Sequence, residues 1–127
     1  MNPITIGQSV EFFLETLAEC SKEKLNLSDE MIEHYILEEF IVSVAGAFSN
    51  FTLDRLYDEG IIDSNIKDKS RLLQSKLMEL DNTNLWNVEA IKTSPEWAEV
   101  IQLSDEIKQL VTDKWTSEEL VYLKTLK

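Results

Sequence analysis

The chain has 127 residues, and its composition of 43% hydrophobic and 28% charged residues predicts one folded domain over residues 1–127. Its 3 glycines and 2 prolines are too few for the many turns of a β-sandwich or barrel. The net charge of -12 argues against direct binding to nucleic acid, because phosphates would repel the protein.

The first two helices are predicted from capping residues and apolar spacing. Thr5 and Gln8 fit a capping box, and the helix that they open is expected to run from about Ile6 to Lys24. Ser28 is a good N-cap for a second helix. The buried stripe predicted for this second helix consists of Met31, Ile32, Tyr35 and Ile36.

The segment from Phe40 to Phe48 is apolar on all sides of a helix axis, which predicts the central and most buried helix. Glu39 would point toward the apolar side of the helix that precedes it. A buried carboxylate needs a cation, so Arg55 or Arg71 is its expected partner.

Ser49 and Asn50 interrupt this apolar run, and a short helix then ends at Gly60. Further starts are marked by Asp63 or Ser64, by Asn84, by Ser94 before Pro95, and by a Thr116–Glu119 capping box. We therefore expect an all-α, single-domain bundle of about six helices. The positions expected to share its core are Phe40, Val44, Phe48, Leu73, Leu77, Val100, Ile107 and Leu110, with Trp97 beside them.

No motif of an enzyme or of a cofactor site is present. The chain lacks paired Glu-x-x-His motifs, a Gly-x-Ser-x-Gly elbow and the glycine-rich loops that bind phosphate or dinucleotides. Cys20 and His34 are the only residues of their kinds, so we expect neither a disulfide nor a bound metal or cofactor. Glu30, His34 and Glu38 share a helix flank, where an ion pair is a simpler interpretation than catalysis.

Neither a signal peptide nor an apolar run long enough to span a membrane is evident, which predicts a cytoplasmic protein. The negative charge lies mostly in the first half of the chain. Residues 1–60 hold 12 acidic and 3 basic side chains, whereas residues 61–127 hold 12 and 9. The first half therefore carries a net charge of -9 and the second half one of -3.

A stripe of carboxylates accounts for much of this charge. Glutamates repeat every four residues along the first predicted helix, and further acidic residues follow near residues 54–59. Like charges at this spacing work against helix stability, so the repeat suggests a function in binding a basic protein. A solvated surface that improves solubility is the alternative interpretation. The predicted partner-binding residues are Glu11, Glu15, Glu19, Glu23, Asp54, Asp58 and Glu59.

In size, helical pattern and acidity, this chain resembles the small acidic immunity proteins of bacterial toxin and immunity pairs, such as those of colicins and contact-dependent inhibition systems. The resemblance rests on the stripe from Glu11 to Glu23, the Asp58–Glu59 corner and the lack of catalytic motifs. It implies tight binding of a cognate toxin, most simply a nuclease domain whose basic surface holds nucleic acid. The other hypotheses are a phage or plasmid DNA mimic that inhibits a restriction or CRISPR nuclease, and a helical adaptor or chaperone.

Overall fold

In the computed structural model, which describes residues 4–127, the chain forms seven helices and no β-strand. A 3₁₀ helix over Lys22–Asn26 connects the first two of them. The seven helices are α1 (Ile6–Glu19), α2 (Asp29–Ala47), α3 (Asn50–Asp58), α4 (Ser64–Leu80), α5 (Val88–Thr93), α6 (Pro95–Lys114) and α7 (Ser117–Leu123). The predicted all-α fold is confirmed.

Most of the helix starts lie where the capping residues predicted them. The side chains of Thr5 and Thr116 each accept a hydrogen bond from the backbone N–H three residues on, and both capping boxes are complete. Ser28, Asp63 and Ser94 cap α2, α4 and α6 in the same way. These local signals therefore determined where the helices begin.

A single core joins the helices. α4 packs along α6, while α1 contacts α2, α3 and α6. The buried residues include all those predicted except Leu110, which is half-buried and packs against the others. Trp97 is fully buried, and its indole N–H donates to the carbonyl of Leu85 at 2.7 Å.

The middle of α2, residues Glu33–Phe40, is a π-helix between the α-helical turns Asp29–Ile32 and Ile41–Ala47. The apolar spacing explains this segment. On an α-helix, residues four apart drift around the axis by about 40° per step, because a turn holds 3.6 residues. A π-helix has more than four residues per turn, so the same series drifts the other way there, and the π-helical and α-helical turns together keep it on one side. Five fully buried residues follow this four-residue spacing: Ile32, Ile36, Phe40, Val44 and Phe48.

Two predictions about α2 are wrong for the same reason. Met31 was expected in the buried stripe but is 39% exposed, because the stripe follows Ile32 and Ile36 instead. The segment from Phe40 to Phe48 is buried on one side only, and Val42 is 71% exposed. A central buried helix exists, but it has an outer face.

Two helix boundaries also differ from the prediction. α1 ends at Glu19 rather than near Lys24, since Cys20 leaves the helical conformation at φ -124° and ψ 65° and is fully buried. The short helix α5 is capped by Asn87, whose side chain accepts from the N–H of Ala90, and not by Asn84.

Candidate protein-binding surface

Glu19, the last acidic residue of α1, lies at the contact of this helix with α2. The ring of Phe12 lies against Gly46, because a Cβ built on that glycine would come within 2.9 Å of Cε2 of the ring. At the other end of α1, the Ser43 hydroxyl donates to Oε1 of Glu19 at 3.1 Å. The two helices therefore run antiparallel along this contact.

We call this surface the α1–α2 seam. Its residues recur at three- and four-residue spacing on each helix, so they share one face of it. Glu15 consequently lies between the two contacts described above, and Val42 precedes Ser43 on α2, on the Glu39 side of the Glu19 contact. The seam consists of Phe12, Glu15 and Glu19 from α1 and of Glu39, Val42, Ser43 and Gly46 from α2.

Glu19 is the least solvated of these carboxylates. It is half-buried, and within residues 4–127 its Oε2 atom is buried without a hydrogen-bond partner. Burial raises the pKa of Glu19, and the nearby carboxylates of Glu39 and Glu15 raise it further. The hydrogen bond from Ser43 and the charge of Lys24 act in the opposite direction on this pKa.

The predicted four-carboxylate stripe is therefore only partly correct. Glu11 and Glu15 are exposed on α1, and neither forms an ion pair with another of the residues 4–127. Glu23 lies in the 3₁₀ helix rather than on α1, because α1 ends at Glu19. Glu19 is engaged with Ser43 instead of facing solvent.

The acidic residues of α3 behave differently from one another. Asp54 lies 2.8 Å from Nζ of Lys67 and 3.2 Å from Nη2 of Arg71, and these cations lower its pKa. Asp58 and Glu59, at the end of α3, are exposed. Asp54 thus connects α3 to α4, and Asp58 and Glu59 are the α3 carboxylates open to a partner.

Glu39 has a different partner from the one predicted. It is exposed rather than directed at the core, and its Oε1 lies 3.7 Å from Nε2 of His34. Glu38 lies 3.3 Å from Nδ1 of the same ring. The π-helix brings both glutamates to His34. Glu38 was predicted to lie beside this histidine, and Glu39 takes the place that was predicted for Glu30.

The two arginines expected for Glu39 serve elsewhere. Arg55 donates to the carbonyl of Ile4 at 2.6 Å and to Oγ of Ser9 at 3.3 Å. Arg71 pairs with Asp54. Neither arginine neutralises the seam.

The other candidate sites are the thiol of Cys20, groups of metal-ligating side chains and one cleft. Burial raises the pKa of the Cys20 thiol, with Asp105 and Glu19 adding to the effect. Within residues 4–127, no three His, Cys, Asp or Glu side chains are grouped so that they could hold a metal ion. A cleft of about 460 Å³ opens between the 3₁₀ helix, α5 and α6, and its apolar lining includes Leu25, Ile91 and Ile101.

In the described part of the chain, no single helix is long and apolar enough to cross a membrane. By length and composition alone, α2 and α3 would pass as one broken span, with a bend of 56° between them.

Comparison with known proteins adds no relative: no family model, curated protein or solved structure matches this chain.

Sequence reasoning missed the apolar part of this surface. Val42 and Phe51 are 71% and 69% exposed, and Phe12 is 37% exposed. The signal that could have identified Val42 is the four-residue spacing from Ile32 to Phe48, which places residue 42 on the side opposite the core.

Proposed function

We propose that this chain is a non-enzymatic binding protein whose acidic surface neutralises a basic cognate protein in the cytoplasm. In its most specific form, the proposal is an immunity protein that blocks a bacterial nuclease toxin. The observation that carries the proposal is the set of exposed carboxylates on α1 and α2. Glu11 and Glu15 have no cation within ion-pair distance among residues 4–127, and Glu38 and Glu39 share one histidine.

The physical argument concerns the energy of this arrangement. Like charges four residues apart destabilise a helix by about 0.2–0.5 kcal/mol per pair. Glu19 adds the cost of a carboxylate oxygen that is buried without a partner. A basic partner would offset the repulsion among the exposed carboxylates, and the concentrated negative field would accelerate its approach.

The test begins with the identification of the partner by cross-linking and mass spectrometry in cells that express the chain. Its association rate is then measured at low and at physiological salt for the wild type and for Glu11→Lys/Glu15→Lys. We expect the variant to associate at least about tenfold more slowly at low salt, with a smaller difference at higher salt.

The matched control is Asp68→Lys/Glu79→Lys, which makes the same change of charge at exposed positions of α4. If the proposal holds, this control associates much faster than the α1 variant. Equal rates for the two variants would mean that only total charge matters, and wild-type rates for both would leave the acidic surface as a solvated face.

The apolar cleft beside Leu25 and Ile101 supports a second candidate function, that of a helical adaptor. An adaptor that binds an apolar segment in this cleft would show an affinity that is insensitive to salt. Ile101 is 5% exposed, so Leu25→Ser is the safer variant for this test.

A further inference from the structure

Three exposed apolar side chains lie on the α1–α2 seam or at the adjoining start of α3. Val42 is 71% exposed, Phe51 69% and Phe12 37%. At the ~150–250 Å² that an aromatic side chain buries, the two rings alone leave about 200 Å² of apolar surface in water. With Val42 and the exposed Ala45, the area approaches that of the apolar patches which mark binding sites on soluble proteins.

These residues adjoin one another around Gly46. The Phe12 ring lies against this glycine, and its carbonyl accepts a hydrogen bond from Oγ1 of Thr52 at 3.0 Å. Phe51 precedes Thr52 at the start of α3, and Val42 lies one turn before Gly46 on α2. These contacts place side chains of three helices around Gly46, and we call Phe12, Val42, Ala45 and Phe51 the apolar patch. The Arg55 guanidinium lies 5.8 Å from the Phe51 ring, at the α3 edge of this patch.

Carboxylates flank the apolar patch on α1 and on α2. Glu15 and Glu19 follow Phe12 along α1, and Glu38 and Glu39 lie one turn before Val42 along α2. At a rise of 1.5 Å per residue, these carboxylates begin about 5 Å from the apolar side chains along each helix. A partner that covers the patch must therefore also meet the carboxylates.

This charge selects among the possible occupants. Two copies of the chain placed patch to patch would bring their carboxylates together, and an anionic membrane would be repelled. A protein surface with lysine or arginine next to its apolar side chains satisfies both halves of the seam, because each buried apolar group then adjoins an ion pair.

We propose that the α1–α2 seam docks a protein surface on which apolar side chains adjoin lysines or arginines, with Phe12, Val42 and Phe51 as its apolar anchors. This inference rests on the proposed function, since it takes the partner to be basic. It adds that apolar contact at the patch determines how long the complex lasts, whereas the carboxylates determine how fast it forms.

The experiment uses two peptide probes of equal net charge and the intact chain. One is an amphipathic helical peptide of leucine and lysine, and the other is a peptide of lysine with serine in place of leucine. Dissociation constants are measured by fluorescence anisotropy for the wild type, Phe51→Ser and Val42→Ser. The matched controls are Tyr122→Ser and Val121→Ser, which are 65% and 63% exposed on α7.

We expect the leucine–lysine peptide to bind the wild type about tenfold more tightly than the serine–lysine peptide, and Phe51→Ser and Val42→Ser to remove most of this difference. The two α7 variants should retain it. Circular dichroism melts of all variants verify that each is folded, and Val42→Ser provides a second measurement should Phe51→Ser disturb the start of α3.

Three results would overturn the inference. Equal affinity for the two peptides, or equal loss in the patch and α7 variants, would mean that the patch is not a specific anchor. Concentration-dependent dimers of the wild type that Phe51→Ser dissolves would assign the patch to a second copy. If neither peptide binds and Glu11→Lys/Glu15→Lys changes nothing, the proposed function fails as well, which separates the two failures.

Discussion

Replacement of Glu19 by glutamine should stabilise the protein at neutral pH. Glu19 accepts one hydrogen bond, from Ser43, and its second carboxylate oxygen is buried without a partner among the described residues. Burial raises the pKa of this carboxyl, and Glu39 and Glu15 raise it further. Glutamine retains the acceptor for Ser43 and removes the charge.

The magnitude follows from the charge, because glutamine places another polar atom at the same unpartnered position. An unpartnered buried group costs more when it is charged than when it is neutral, and the like-charge pair with Glu15 adds about 0.2–0.5 kcal/mol. We expect Glu19→Gln to raise the free energy of unfolding by about 1 kcal/mol at pH 7. For a domain of this size, that corresponds to an increase of roughly 3–5 °C in Tm.

The sign of the pH dependence follows from the raised pKa. The folded protein binds the Glu19 proton more tightly than the unfolded chain does, so the stability contributed by this proton is fully present below the ordinary glutamate pKa of 4.5. It is lost as the pH rises through the folded-state pKa. The advantage of Glu19→Gln should therefore shrink when the pH is lowered from 7 to 4.

Urea denaturation followed by circular dichroism at pH 7 and pH 4 measures this difference. Glu11→Gln is the control, because it removes the same charge from an exposed position of α1. It relieves only the one like-charge pair with Glu15 and should gain about 0.2–0.5 kcal/mol. A Glu19→Gln protein that is less stable than wild type at pH 7, or equally more stable at both pH values, would refute the reasoning.

Three further predictions concern the fold. A Cβ on Gly7 would lie 2.0 Å from the Lys124 carbonyl oxygen, so Gly7→Ala should separate α7 from α1. We expect a loss of about 1–3 kcal/mol in the free energy of unfolding, seen as a lower Tm in a thermal melt. An unchanged Tm would contradict this contact. Val44→Asp places an unpaired charge at a fully buried position and should unfold the domain, whereas a helical, cooperatively melting variant would disprove the central position of α2. Lys67 lowers the pKa of Asp54, so this pair stabilises the fold above the ordinary aspartate pKa and stabilises it less as the pH falls through the folded-state pKa. Asp54→Asn should therefore weaken the loss of stability that the protein shows when the pH is lowered into the acid range. If the variant loses stability in acid as steeply as the wild type, the ion pair does not contribute.

How much of the fold could be predicted depended on how local its cause was. A cap requires only one side chain and the N–H three residues on, so Thr5, Ser28, Asp63, Ser94 and Thr116 marked helix starts correctly. Hydrophobic spacing likewise predicted that these helices would pack around one core. The all-α class needs no further information than these two local patterns.

The arrangement of the candidate binding surface could not be predicted in the same way, because contacts between distant residues decide it. The glutamates of α1 form an even series in the sequence, but Ser43 engages Glu19, and burial of Cys20 ends α1 before Glu23. Lys67 likewise takes Asp54 into an ion pair with α4. Each of these effects requires the partner helix to be in place.

The sequence alone therefore determined the composition of the surface, and the tertiary structure decided its geometry. Acidity in the first half of the chain is visible in any reading of the sequence. The four-residue spacing from Ile32 to Phe48 indicates that Val42 faces away from the core, but only the packed structure shows that this face lies next to α1 and that a π-helical segment keeps the stripe buried. Burial of that stripe is a property of the packed helices, and it is what leaves an apolar patch next to the carboxylates on the outer face.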